Sequence, residues 1–75
     1  MSRALRVMSS AEVCLLLERY GFSRVRQRGS HIIMQGIFEG RTRTAVVPER
    51  REIERGTLHR IVRQSGLARA LFEVD

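Results

Sequence analysis

Apolar residues recur along this chain at two different periods. From Ser9 to Gly21 the period is helical: Val13, Leu16, Leu17 and Tyr20 fall at i, i+3, i+4 and i+7, the stripe of an amphipathic helix. Ser9-Ser10-Ala11-Glu12 has the S-x-x-E form of a capping box, with Met8 and Val13 placed for the accompanying hydrophobic staple. Gly21 sits where a left-handed residue stops such a helix, and Met1 to Met8 reads as a loose lead-in.

The period then changes to two. Arg24 to Gln35 contains two β-prone runs around Gly29-Ser30, a Gly-polar pair suited to a tight two-residue hairpin turn. Strict alternation pairs Arg28 with His31, Arg26 with Ile33 and Arg24 with Gln35. Arg24, Arg26, Arg28 and His31 then share one face, and Val25, Gln27, Ile32 and Met34 the other. Gly36 is expected to end the second strand or mark a bulge, and Glu39-Gly40 offers the next turn. Arg41 to Val47 alternates as a third strand, with Thr42, Thr44 and Val46 on one side and Arg41, Arg43 and Ala45 on the other; Pro48 ends the ladder.

Glu49 to Arg55 reads as a solvated, mixed-charge connector. A second helix is expected from Gly56-Thr57, capped by Thr57, with Leu58, Ile61, Val62 and Ser65 facing inward and Gly66-Leu67 closing it. Ala68 to Asp75 is left as a short helical turn or an irregular tail. The order helix, three strands, helix predicts an α+β domain: a three-stranded antiparallel sheet with both helices on one face, the arrangement of double-stranded-RNA-binding domains. The 75 residues make one domain, with its core over about residues 9–67.

Charge sharpens the picture. Fourteen basic residues, all Arg, face eight acidic ones, a net charge of +6 that favours a polyanion or an acidic protein as partner. Cys14 is the only cysteine, so no internal disulfide is available, which fits a reducing cytosol, and a buried structural thiol is expected. No apolar run approaches the roughly 20 residues of a membrane span, and no secretion signal is read in the first residues.

Several blocks together resemble the HicA toxins, small mRNA-cleaving halves of bacterial toxin–antitoxin pairs. They are Tyr20-Gly21-Phe22, Val25 to His31, Val46-Val47-Pro48, Gly56-Thr57-Leu58 and Ile61 to Leu67, in the family's order and spacing. The resemblance implies a fold similar to a double-stranded-RNA-binding domain, RNA cleavage, and inhibition by a HicB-type antitoxin. It also implies that His31, the histidine of the G-S-H element, is catalytic. Many members carry a histidine two residues after the Pro of the V-P element, where this chain has Arg50; His59 takes no catalytic part by the same comparison.

The residues fit that chemistry. RNA carries its own nucleophile, the 2′-OH, so cleavage needs a proton acceptor, a proton donor for the leaving oxygen, and positive charge on the transition state. His31 is the candidate for proton transfer. Arg24, Arg26, Arg28, Arg41 and Arg43 are candidates for phosphate binding, with Gly29 and Ser30 allowing close backbone approach. No His/Asp/Glu cluster has ligand spacing, so neither a metal nor another cofactor is expected. Two other functions fit the same residues: an RNA-binding module that does not cut, and a docking domain for an acidic protein.

Overall fold

A single antiparallel sheet in the order β1-β2-β3 carries both helices on one of its faces. The computed structural model describes residues 3–75, with α1 at Ser10–Arg19, β1 at Phe22–Arg28, β2 at His31–Phe38, β3 at Arg41–Pro48, α2 at Arg55–Ser65 and a closing 3-10 turn at Arg69–Phe72. The expected α-β-β-β-α order is therefore present.

The capping box of α1 forms as read: the Glu12 N–H donates to Ser9 Oγ at 3.1 Å, and the Ser9 N–H donates to the Glu12 carboxylate at 2.9 Å. The Ser9 N–H first, and then the Ser9 hydroxyl, hold the Glu12 carboxyl below its ordinary range. The stripe of α1 delivers Val13, Cys14 and Leu17 to the core, whereas Tyr20 at its end stays exposed. Gly21 then turns the chain at φ +93°, a conformation that suits glycine.

Along β2, Ile32 and Met34 face the helices and meet Ala45 and Val47 of β3, Leu58 and Ile61 of α2, and the buried side of α1. The alternate residues His31, Ile33, Gln35 and Ile37 face away. Ile33 is nonetheless buried, because it sits in the middle strand between Arg26 and Val46.

The β1–β2 register departs from strict alternation. Arg28 pairs with His31, Gln27 with Ile32 and Arg26 with Ile33, as expected, but Arg24 then pairs with Met34 rather than Gln35. Val25 is the extra residue of a β-bulge. The physical reason is Phe22. Without the bulge Phe22 would share the open face with Arg26 and Arg28; the one-residue slip turns its ring into the core, where it is 4% exposed. Burying a side chain of that size stabilises by about 1.5–3 kcal/mol. Gly36 neither ends β2 nor bulges. It lies opposite Phe22, and a Cβ there would stand 2.9 Å from Phe22 Cγ and 3.0 Å from the Gly21 carbonyl oxygen.

Three further expectations change. The second helix starts at Arg55 with Glu54 at the cap position and no side-chain cap, so Thr57 lies inside the first turn. The connector before it is not wholly solvated: Ile53 is buried in the core, and its N–H donates to the Met8 carbonyl at 2.8 Å. That anchorage fixes the chain ahead of α2 and lets the helix begin with its cap at Glu54, three residues before the expected cap position. Finally, the lead-in is tied down over its described part (Met1 and Ser2 lie outside the described residues). Leu5 bridges Glu73, the Arg6 N–H donates to the Phe72 carbonyl at 2.8 Å, and the Val74 N–H donates to the Ala4 carbonyl at 2.9 Å. Leu5, Met8 and Phe72 are buried as a result. Arg69 fastens the same region, pairing with Glu73 at 2.6 Å and donating to the Arg3 carbonyl at 2.9 Å.

Candidate active site

Glycine permits the turn that sets this site. Gly29 adopts φ +58° while Ser30 stays at negative φ, the II′ pattern that reverses the chain in two residues. Its backbone is braced from beneath: the Gln27 amide donates to the Gly29 carbonyl at 3.0 Å, and the Glu49 N–H donates to the Ser30 carbonyl at 2.6 Å. His31 follows at once as the first residue of β2. The register sets Arg28 directly opposite it on one side and Pro48 on the other, with Arg26 one pair further along the same face.

His31, Arg26 and Arg28 are all exposed on the face away from the helices. The one ion pair among the described residues joins Arg69 to Glu73, so no carboxylate neutralises either guanidinium. The result is an imidazole beside two free cations on an uncovered surface.

The remaining candidate arginines are elsewhere. Arg24 crosses to the helix side at the bulge, where its guanidinium acts on the Cys14 thiol of α1. Arg43 pairs with Gly36 and lies on the helix side, packed against the C-terminus of α2; a Cβ on Gly66 would be 3.0 Å from its Cζ. Arg41 pairs with Phe38, which packs against the core, and so also lies on the helix side. Gly29 and Ser30 are exposed in the turn beside His31. The expected Arg series on one face thus reduces to Arg26 and Arg28.

Arg50 is held at the same end of the sheet. Its carbonyl accepts from both the N–H and the hydroxyl of Ser10, at 3.0 and 3.1 Å, and its own N–H donates to Ser10 Oγ at 3.3 Å. The start of α1 therefore fixes the chain just past Pro48, two residues from the strand position that pairs with His31. The outer edge of β3 is closed by α2: Gln64 accepts from the Val46 N–H at 3.0 Å, and Arg60 donates to the Val46 carbonyl at 2.8 Å.

Two polar residues on the open face are given no site role by the sequence reading. Gln35 donates from Nε2 to Thr44 Oγ1 at 3.2 Å, further along β2 from His31. Their signal was the same alternation that placed His31, since Gln35 follows it by two strand periods.

A family model described as "HicA toxin of bacterial toxin-antitoxin" matches residues 10–67, well over half of the chain. The chain belongs to the HicA toxin family. Comparison with curated proteins returns no match. In this HicA chain the matched span runs from the first residue of α1 to Leu67, beyond the end of α2. Leu5, Met8 and Phe72 lie outside it and still complete the core. His59 stands in α2, half-buried, with Nδ1 3.2 Å from the Arg69 guanidinium.

Cys14 is structural in this HicA fold. Burial pushes its thiol above the ordinary value, and the Arg24 guanidinium offsets part of that rise. Native protein is expected to react with a thiol reagent at neutral pH far more slowly than denatured protein. Equal rates, followed spectrophotometrically, would mean that α1 opens readily.

Proposed function

We propose that this HicA toxin is an endoribonuclease that cleaves mRNA without a metal ion, using His31 for proton transfer. A HicB-type antitoxin blocks it, and its place of action is the cytoplasm. The observation that carries the reading is the direct pairing of His31 with Arg28 on an open, cationic surface.

In the proposed reaction, neutral His31 accepts the proton of a ribose 2′-OH as that oxygen attacks the adjacent phosphorus. Arg28 and Arg26 hold the non-bridging oxygens, where negative charge builds up in the transition state. The bond from phosphorus to the 5′-oxygen breaks, and the leaving oxygen takes a proton from the imidazolium or from water. The products are a 2′,3′-cyclic phosphate and a 5′-hydroxyl. The attack and the charge on the transition state are served by the substrate's own hydroxyl and these side chains; among the described residues no three His, Cys, Asp or Glu groups gather as ion ligands.

The same surface supports an antitoxin partner. A chain of net charge +6 with two unpaired arginines on an open face suits an acidic inhibitor that covers His31. Incubation of the purified chain with single-stranded RNA in the presence of a chelator is expected to yield fragments ending in cyclic phosphate. A salt-sensitive gel shift with no fragments would instead identify a binding module.

A further inference from the structure

Beyond His31, the open face of the sheet carries a second feature. A recess of about 420 Å³ is lined by Gly21, Ser23, Val25, Gln35, Ile37 and Thr42, with the Gly36 backbone at its base. No helix residue takes part in it. Ser23 pairs with Gln35 and Ile37 with Thr42, so these side chains lie on the face that carries His31.

Its chemistry is mixed in a particular way. Val25 is 47% and Ile37 74% exposed, two β-branched side chains that the core does not use. Beside them stand two hydroxyls and an amide. The Gln35 amide is not free to swing: its Nε2 donates to Thr44 Oγ1 at 3.2 Å. Its carbonyl oxygen, an acceptor, has no protein donor among the described residues.

We propose that this recess is a base-binding subsite for single-stranded RNA, taking a nucleobase that bears an exocyclic amino group. Val25 and Ile37 cover the faces of the base, and the Gln35 carbonyl accepts from the amino group. Adenine, cytosine and guanine qualify; uracil does not. Gln35 lies four strand residues from His31, about 13 Å at the usual rise. That distance is within reach of a nucleotide a few positions from the scissile phosphate. The strand between them would pass Arg26, whose charge favours the phosphates on the way. A protein docked on the aliphatic pair would explain the exposure of Val25 and Ile37. It would give no role to the Gln35 carbonyl oxygen, which lacks a protein donor beside the recess.

The subsite rests on the ribonuclease reading for its purpose, but its binding is measured apart from cleavage. The His31→Ala chain is titrated into fluorescently labelled oligo(C), oligo(A) and oligo(U), and anisotropy gives the affinities. Oligo(C) and oligo(A) are expected to bind more tightly than oligo(U). Adding Gln35→Ala should weaken oligo(C) by about tenfold, the scale of one specific base contact, and leave oligo(U) unchanged. Adding Ile37→Ala should weaken all three. Equal binding of the three oligonucleotides, no binding at all, or a base preference untouched by Gln35→Ala would each overturn the subsite. Loss of capture of a protein partner by these variants, with RNA affinity intact, would make the surface a protein dock and also overturn it. If the unmutated chain fails to cut RNA while the anisotropy pattern holds, the ribonuclease reading fails and the subsite stands.

Discussion

His31→Ala is expected to lower RNA cleavage by a factor of at least about 100, the lower range for removing a proton-transfer group. Its unfolding midpoint should match that of the unmutated chain, because His31 is exposed at a strand end and supports no packing. Arg28→Ala should slow the reaction less, since Arg26 remains on the same face to hold the phosphate. Arg24→Ala and Arg43→Ala serve as controls: both residues lie on the helix side and should leave cleavage near its original rate. Retained cleavage by a folded His31→Ala chain would remove the histidine from the mechanism.

The largest effect on stability is expected from Phe72→Ala. The ring is fully buried in the main core, and truncating such a side chain costs about 3–5 kcal/mol. A domain of 75 residues has roughly 4–11 kcal/mol in total at the usual value per residue. The substitution should therefore remove roughly a quarter or more of the domain's stability, as read from urea denaturation followed by circular dichroism. The Phe72 carbonyl also accepts from Arg6, so the N-terminal segment should loosen with it. A loss below about 1 kcal/mol would show that the C-terminal turn adds little to the fold.

Phe72 is also where the sequence was hardest to read. A 3-10 turn of four residues leaves no periodic stripe, and the partners of Phe72 are distant in the chain, so its burial is decided by tertiary packing alone. The same holds for Ile53, a single apolar residue inside a charged stretch, and for Leu5, whose short N-terminal segment has no clear period. By contrast, α1 was legible because its cap, stripe and terminating glycine are all local signals. The II′ turn at Gly29-Ser30 was legible for the same reason, and with it the pairing of His31 with Arg28.

The error over Arg24 has a definite cause. Alternation was continued through β1 from the turn, although that parity leaves Phe22 in solvent. Phe22 carried the missing information: an aromatic residue four places before Arg26 belongs in the core, and only a one-residue slip puts it there. Arg41 and Arg43 were assigned to their side of β3 correctly; what the sequence did not show is that this side is the one the helices cover.

The central claim is that RNA meets the uncovered sheet face at His31, Arg26 and Arg28. Titrating the isotope-labelled chain with an oligonucleotide carrying 2′-deoxyribose, which lacks the attacking hydroxyl and stays uncut, reads this directly by NMR. The imidazole of His31 and the side chains of Arg26 and Arg28 should shift first and most, while Arg24 and Arg43 stay still. Shifts confined to Arg24, Arg41, Arg43 or the helices, with the His31 ring unmoved, would contradict the account.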